Sequence, residues 1–149
     1  MAMQIHVFLG GTIGTNTWRE EVIPELTRRG IPREALYDPI VDDWTEEVQA
    51  REDAIKRQCA YQLYVIAHPG GSSDAVSAHS LVEAVMGLYD RPGQTVVAFD
   101  TSGMTGHVLK AIHKIIKDLH ERFPTAPIFE NLSAAIDWLA SHWLDDQRA

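Results

Sequence analysis

The chain has 149 residues, 45% of them hydrophobic, enough for one domain with a proper core and no need of covalent staples. Its 13 basic and 21 acidic residues leave a formal charge of -8, a field that repels nucleic-acid backbone and argues against a polymer partner. The single cysteine, Cys59, excludes an internal disulfide, and the N-terminus lacks the basic-then-apolar pattern of a secretory leader. No apolar run approaches the ~20 residues of a membrane helix, so the expected setting is the cytoplasm.

Taken in chain order, Ile5–Leu9 reads as a compact apolar strand. It runs into Gly10-Gly11-Thr12-Ile13-Gly14-Thr15-Asn16, a polar glycine-rich loop, with Asn16 placed to cap a helix starting at Thr17 or Trp18. That helix buries Val22, Ile23 and Leu26 and stops at Gly30, with Pro32 just beyond. Ala35-Leu36-Tyr37 is a short second strand. Asp43, with Glu46 three residues on, has the form of a capping box for a polar helix from Trp44 to about Cys59.

Tyr61–Ala67 is apolar and aromatic almost throughout, as in strands of parallel sheets covered on both faces. The loop His68–Asp74 follows, then a helix from His79 or Ser80 to Tyr89. Gln94–Asp100 is the fourth strand and Thr101–Met104 its loop. The next helix runs from Gly106 to Arg122, with Val108, Leu109, Ile112, Ile115, Ile116 and Leu119 inward and Lys110, Lys114 and Lys117 on a solvated face. Pro127–Phe129 is a fifth strand, and Asn131 caps a last helix carrying Trp138 and Trp143, which either cover the sheet or meet a partner.

Strands alternating with helices through compact connections imply parallel crossover units. The prediction is a single α/β domain over residues 1–149. It is three-layered and doubly wound, with a five-stranded parallel sheet in the flavodoxin-like order usual at this size.

Such folds bind ligands beyond the carboxyl ends of their strands. Here those ends gather Gly10, Gly11, Thr12, Thr15, Asn16, Asp43, Trp44 and His68 around one crevice, and these, with Ser80 at the start of the helix after the third strand, are the candidates for substrate contact. The glycine loop lacks both the six-residue dinucleotide fingerprint and a P-loop lysine, but its backbone N–H groups suit a sugar or phosphate. Trp18 and Trp44, next to site loops, are candidates to stack on a base or to fill the core. The seven histidines form no H-E-x-x-H pattern and have no cysteine partners, so no metal is expected. Ser102 is not in a G-x-S-x-G elbow. Ser80-Leu81-Val82-Glu83 reads in two ways. It is a capping box, or it presents a carboxylate in the first turn of a helix at the active edge, kept ionised by the helix field.

Several segments together resemble the nucleoside 2-deoxyribosyltransferase-like family. They are Val7-Phe8-Leu9-Gly10-Gly11-Thr12-Ile13-Gly14, Trp18-Arg19, Asp38-Pro39 with Asp43-Trp44, Glu52, Leu63-Tyr64-Val65-Ile66 and Ser80-Leu81-Val82-Glu83-Ala84. The resemblance covers roughly the first two thirds of the chain and implies a flavodoxin-like fold. The activity it implies is cleavage of the N-glycosidic bond of a nucleoside or nucleoside monophosphate, with transfer to a second base or to water. It implies Glu83 as the nucleophile, Glu52 as the acidic residue before the third strand and Asp74 as the acid in the preceding loop. Phe8 is a loose match to an aromatic near the sugar, without its hydroxyl. A homo-oligomer is implied, and no cofactor. The competing expectations are a nucleotide-binding or regulatory module with Glu83 only a cap, a structural subunit, and a phosphoryl-transfer enzyme, which the absent P-loop lysine disfavours.

Overall fold

The computed structural model describes residues 4–13, 17–40, 43–71 and 76–149. Among these residues five strands form one parallel sheet: β1 (Val7–Gly11), β2 (Leu36–Tyr37), β3 (Tyr61–Ala67), β4 (Thr95–Asp100) and β5 (Ile128–Phe129), in the order β2-β1-β3-β4-β5. The helices are α1 (Trp18–Arg28), α2 (Glu46–Gln58), α3 (Ala78–Asp90), α4 (Gly106–Arg122) and α5 (Leu132–Arg148). This is the predicted three-layer, flavodoxin-like arrangement. The order reverses between β1 and β3, which makes their carboxyl ends the place where flanking loops part and leave a crevice.

Period-two alternation divides β1 and β3 between two cores. Val7, Leu9, Leu63 and Val65 face α1 and α5, where Val22, Leu26, Ile136 and Leu139 pack. Phe8, Tyr64 and Ile66 face the other layer, where Ala84, Leu88, Ile112 and Ile116 pack. Trp138 lies edge-on to Tyr61 at 5.3 Å and Trp143 edge-on to His6 at 4.7 Å, so both cover the sheet. The Lys110, Lys114 and Lys117 face of α4 is exposed, as its spacing predicted.

The two helical layers differ. Helices α1 and α5 bury apolar stripes, whereas α2 has no fully buried residue. Only Ile55 of α2 packs partly against a core. Its attachment is polar and sits at its end: Arg91 donates to the carbonyls of Lys56 at 2.9 Å, Cys59 at 2.6 Å and Ala60 at 3.2 Å. Gln62 Nε2 adds a bond to the Lys56 carbonyl at 3.1 Å.

Several boundaries depart from the sequence reading. Strand β1 begins at Val7 rather than Ile5, and Gly10 and Gly11 belong to it, opposite Tyr64 and Val65. A side chain at Gly10 would strike the Tyr64 ring at 2.6 Å, and one at Gly11 would strike the Val65 backbone. These glycines admit the neighbouring strand; they are not a flexible loop. Strand β4 begins at Thr95. Helix α2 is capped by Thr45, whose hydroxyl accepts from the Val48 N–H at 3.1 Å, so Asp43 and Trp44 precede the helix and Asp43 caps nothing. Helix α3 is capped by Ser77, which replaces the expected cap at Ser80. Gly30 ends α1 with φ of 104°, and Asn131 caps α5 through the Ala134 N–H at 2.8 Å, both as expected. The proposed Asn16 cap lies outside the described residues.

Candidate functional site

A cleft of about 430 Å³ opens at the carboxyl edge of β1, between α2 and the start of α3. Phe8, Gly10 and Gly11 lie in its floor; Arg19, Trp44 and Ile40 stand on one side, and Ser77, Ser80 and Glu83 on the other. Glu52 and Lys56 reach it from α2. The volume is in the range of small-molecule pockets.

Glu83 is held from two sides. Lys56 Nζ pairs with Oε2, and His79 Nε2 lies 3.1 Å from Oε1. The Lys56 and Glu83 side chains are 19% and 18% exposed, so their pair is shielded enough to matter, while His79 at 84% is a solvent-facing partner. The ammonium also lies 5.1 Å from the centre of the Phe8 ring, an attractive placement for a cation. The cap at Ser77 puts Glu83 in the second turn of α3, beyond the reach of the helix field, which fades within the first turn. Its neighbouring positive charge comes from Lys56 instead.

Glu52 stands one turn before Lys56 on the same face of α2. Burial pushes its carboxyl upward, Lys56 pulls it back, and the nearby Glu83 charge pushes it up further. The two carboxyl groups lining this cleft therefore differ in surroundings: one is tied to an ammonium, and the other is biased toward its protonated form. Below them the Tyr64 hydroxyl, whose pKa is raised well above the usual phenol by burial and then by the Glu83 charge, donates to Gln62 Oε1 at 2.6 Å.

Arg19 braces the opposite wall. Its guanidinium donates to the carbonyls of Thr12 at 3.1 Å and Leu9 at 3.3 Å and lies 4.1 Å from the Trp18 ring centre. Its Nε is 3.1 Å from Asp38 Oδ1, an ion pair. Burial lowers the Arg19 pKa, and Asp38 offsets part of that.

The predicted site residues separate into three groups. Glu52, Glu83, Gly10, Gly11, Trp44 and Ser80 share this cleft. Ser80 is buried and uses its N–H and hydroxyl on the Ser77 side chain, at 3.4 Å and 2.9 Å. Trp44 is 63% exposed, its indole N–H donating to Gln49 at 3.2 Å. Other candidates are placed elsewhere. Thr12 is fully buried; its hydroxyl donates to the Ala67 carbonyl at 3.1 Å and accepts from the Ala67 N–H at 3.0 Å, completing the sheet. Trp18 is core, its N–H donating to the Thr12 carbonyl at 3.0 Å. Asp43 is exposed outside the cleft lining. His68 lines a separate depression with Trp18, Asp100 and Ser102, and its Nδ1 accepts from the Gly70 N–H at 3.0 Å. Thr15, Asn16 and Asp74 lie outside the described residues.

Lys56, His79 and Arg19 were not among the predicted site residues. The Glu52–Lys56 spacing was the available signal for the first, but an i, i+4 pair on a polar helix is ordinarily a solvated one. Only the fold reveals that Glu83, on another helix, closes on it.

Among the described residues no group of three or more His, Cys, Asp or Glu is placed to hold a metal, and no helix is long and apolar enough to cross a membrane. Compared with known proteins, no family model matches the chain and no curated protein matches it.

Proposed function

We propose that the protein cleaves or transfers at the N-glycosidic bond of a (deoxy)nucleoside or nucleoside monophosphate, with Glu83 as the nucleophile. The observation that carries this reading is the pair of carboxyl groups, Glu83 and Glu52, which line one cleft at the sheet's carboxyl edge in different surroundings, one paired with Lys56 and the other pushed upward by burial. Glycosidic cleavage needs such a division: one anion to meet the positive charge developing at the anomeric carbon, and one acid to protonate the leaving group. Trp44 at the mouth offers an aromatic face to a base, and the cleft's volume suits a nucleoside.

In the proposed reaction the bond between the anomeric carbon and the base nitrogen breaks, and its electron pair leaves with the base. The Glu52 proton passes to the base, and a Glu83 oxygen bonds to the anomeric carbon. A second base or water then displaces the ester. This chain's residues supply the nucleophile and the acid, and the scheme draws on no cofactor.

One observation favours a second reading, a non-catalytic nucleotide-binding module: both Glu83 oxygens already have partners, Lys56 and His79. The experiment is a panel of ribo- and deoxyribonucleosides and their monophosphates, with and without an acceptor base, followed by chromatography beside Glu83→Ala. Base release or exchange that disappears in the variant supports the glycosyl-enzyme. Ligand-dependent rise in Tm without base release selects the binding module. Activity that persists in Glu83→Ala refutes the assignment of the nucleophile.

A further inference from the structure

We infer that Lys56 is the positioning residue of this cleft, holding Glu83 as an oriented anion and remaining as the fixed positive charge while negative charge passes from Glu83 to Glu52. The inference rests on the glycosidic reading of the same site.

The argument begins with how the lysine is held. Helix α2 buries no residue fully, so a lysine on it would ordinarily be mobile. Lys56 is the exception because its main chain is clamped. Its carbonyl accepts from Arg91 at 2.9 Å and from Gln62 at 3.1 Å, and both donors are anchored in the body of the domain. Its side chain passes over Phe8 and ends on Glu83 Oε2. Main chain, ring and carboxylate thus fix the ammonium from three directions, which an incidental surface pair does not require.

Tying Oε2 leaves Oε1 as the oxygen free to attack once the exposed His79 gives way to substrate. Lys56 borders two depressions, the cleft and a groove under Met86 and Tyr89, and its pair with Glu83 forms the partition between them. The charge count is consistent through the step. In the proposed step the set begins as protonated Glu52, cationic Lys56 and anionic Glu83. After Glu83 becomes an ester and Glu52 has given its proton to the base, it is anionic Glu52, cationic Lys56 and neutral Glu83. The net charge is unchanged, and the ammonium needs no relocation because Glu52 lies one helical turn away.

The test compares Lys56→Met, which keeps the length and removes the charge, with Lys56→Arg, which keeps the charge. The expected result for Lys56→Met is a fall in kcat of about tenfold or more with KM little changed. Lys56→Arg restores most of that loss. A kcat for Lys56→Met equal to that of the parent, or an arginine variant no better than the methionine one, overturns the inference.

A second readout does not depend on turnover. Nitrogen-15 NMR of the lysine ammonium groups in the substrate-free protein reads how firmly Lys56 is held. A Lys56 signal with slowed proton exchange that is lost in Glu83→Gln supports the inference; a Lys56 signal that exchanges like those of the exposed Lys110, Lys114 and Lys117 overturns it. A held ammonium in a protein that turns over nothing retains the role of Lys56 and refutes the reaction.

Discussion

Replacing Gly11 by alanine tests whether the glycines after Leu9 serve packing or a ligand. The backbone at Gly11 has φ of 135°, a conformation that side chains disfavour. Its added carbon would meet the carbonyl oxygen of Val65, and the Val65 nitrogen at 2.7 Å. Both atoms belong to the central strand, so neither can rotate aside. Overpacking costs about 1–3 kcal/mol and a residue held in a disfavoured backbone region about 1–3 kcal/mol more, so the loss is about 2–6 kcal/mol. For a domain of this length a loss of about 4 kcal/mol lowers Tm by about 8–16 °C. Gly10→Ala meets a side chain, the Tyr64 ring at 2.6 Å, which is buried and tied through its hydroxyl to Gln62; the overpacking cost alone applies, about 1–3 kcal/mol. Gly93→Ala is the control, with nothing within 4 Å, and stays within about 0.5 kcal/mol. Urea titrations at constant m-value measure all three. The order of loss should be Gly11, Gly10, Gly93. Gly11→Ala as stable as Gly93→Ala would refute the packing argument and return this glycine to the role of a ligand loop.

Three further outcomes follow from the same geometry. Trp18→Ala should cost about 3–5 kcal/mol, because the ring is buried and its N–H is bonded; Trp44→Ala should leave stability within about 0.5 kcal/mol yet weaken nucleoside binding, as thermal melts and calorimetry on both variants would reveal. The folded Glu52 carboxyl titrates above its ordinary value, so the folded state holds its proton more tightly than the unfolded chain. Its contribution is fully present below the ordinary carboxyl range and is lost as pH rises through the folded value. Glu52→Gln should therefore gain stability relative to the parent at neutral pH and show no gain at pH 3, measured by denaturant melts at both. Hydrogen exchange should find the first two turns of α2 opening well before β3 and α4, with slower exchange toward its clamped end; protection of α2 equal to that of β3 would contradict its polar attachment.

The fold was legible because its signals are local and repetitive. Tyr61–Ala67 carries a fully buried strand in its composition, the apolar stripe of α4 fixes Gly106–Arg122, and Asn131 announces its own cap. The site was legible only in part, for reasons that differ by residue. Glu83 and Glu52 share the cleft, but the caps that set their helical phase were misplaced. Serine, threonine and aspartate all cap, and near Ser77 and Thr45 the sequence offers competing choices that only tertiary packing decides. Gly10 and Gly11 read as a loop because glycine is weak in strands; nothing local reveals that Tyr64 and Val65 press on them from across the sheet. Thr12 looked like a ligand residue because a hydroxyl beside glycines fits either role, and its real partner, Ala67, is 55 positions away. Lys56 is the clearest case: its meaning is a contact with another helix, 27 positions on.

The weak burial of α2 accounts for the cleft's location. A helix that laid an apolar stripe on β1 would have closed the face over Phe8, as α1 and α5 close the opposite one with Val22, Leu26 and Leu139. Helix α2 instead presents Glu52 and Lys56 toward that face and is secured by carbonyl bonds at its end, where Arg91 and Gln62 reach it. Charged groups can then stand beside an aromatic floor without full desolvation, and each acquires a partner or a biased protonation state from its neighbours. The same choice gives up apolar burial along 13 residues of helix, a loss borne by the better-packed α1–α5 layer. Filling the face, for instance with leucine at both Glu52 and Lys56, would therefore be expected to stabilise the domain while removing the acid and the ammonium on which the proposed reaction depends.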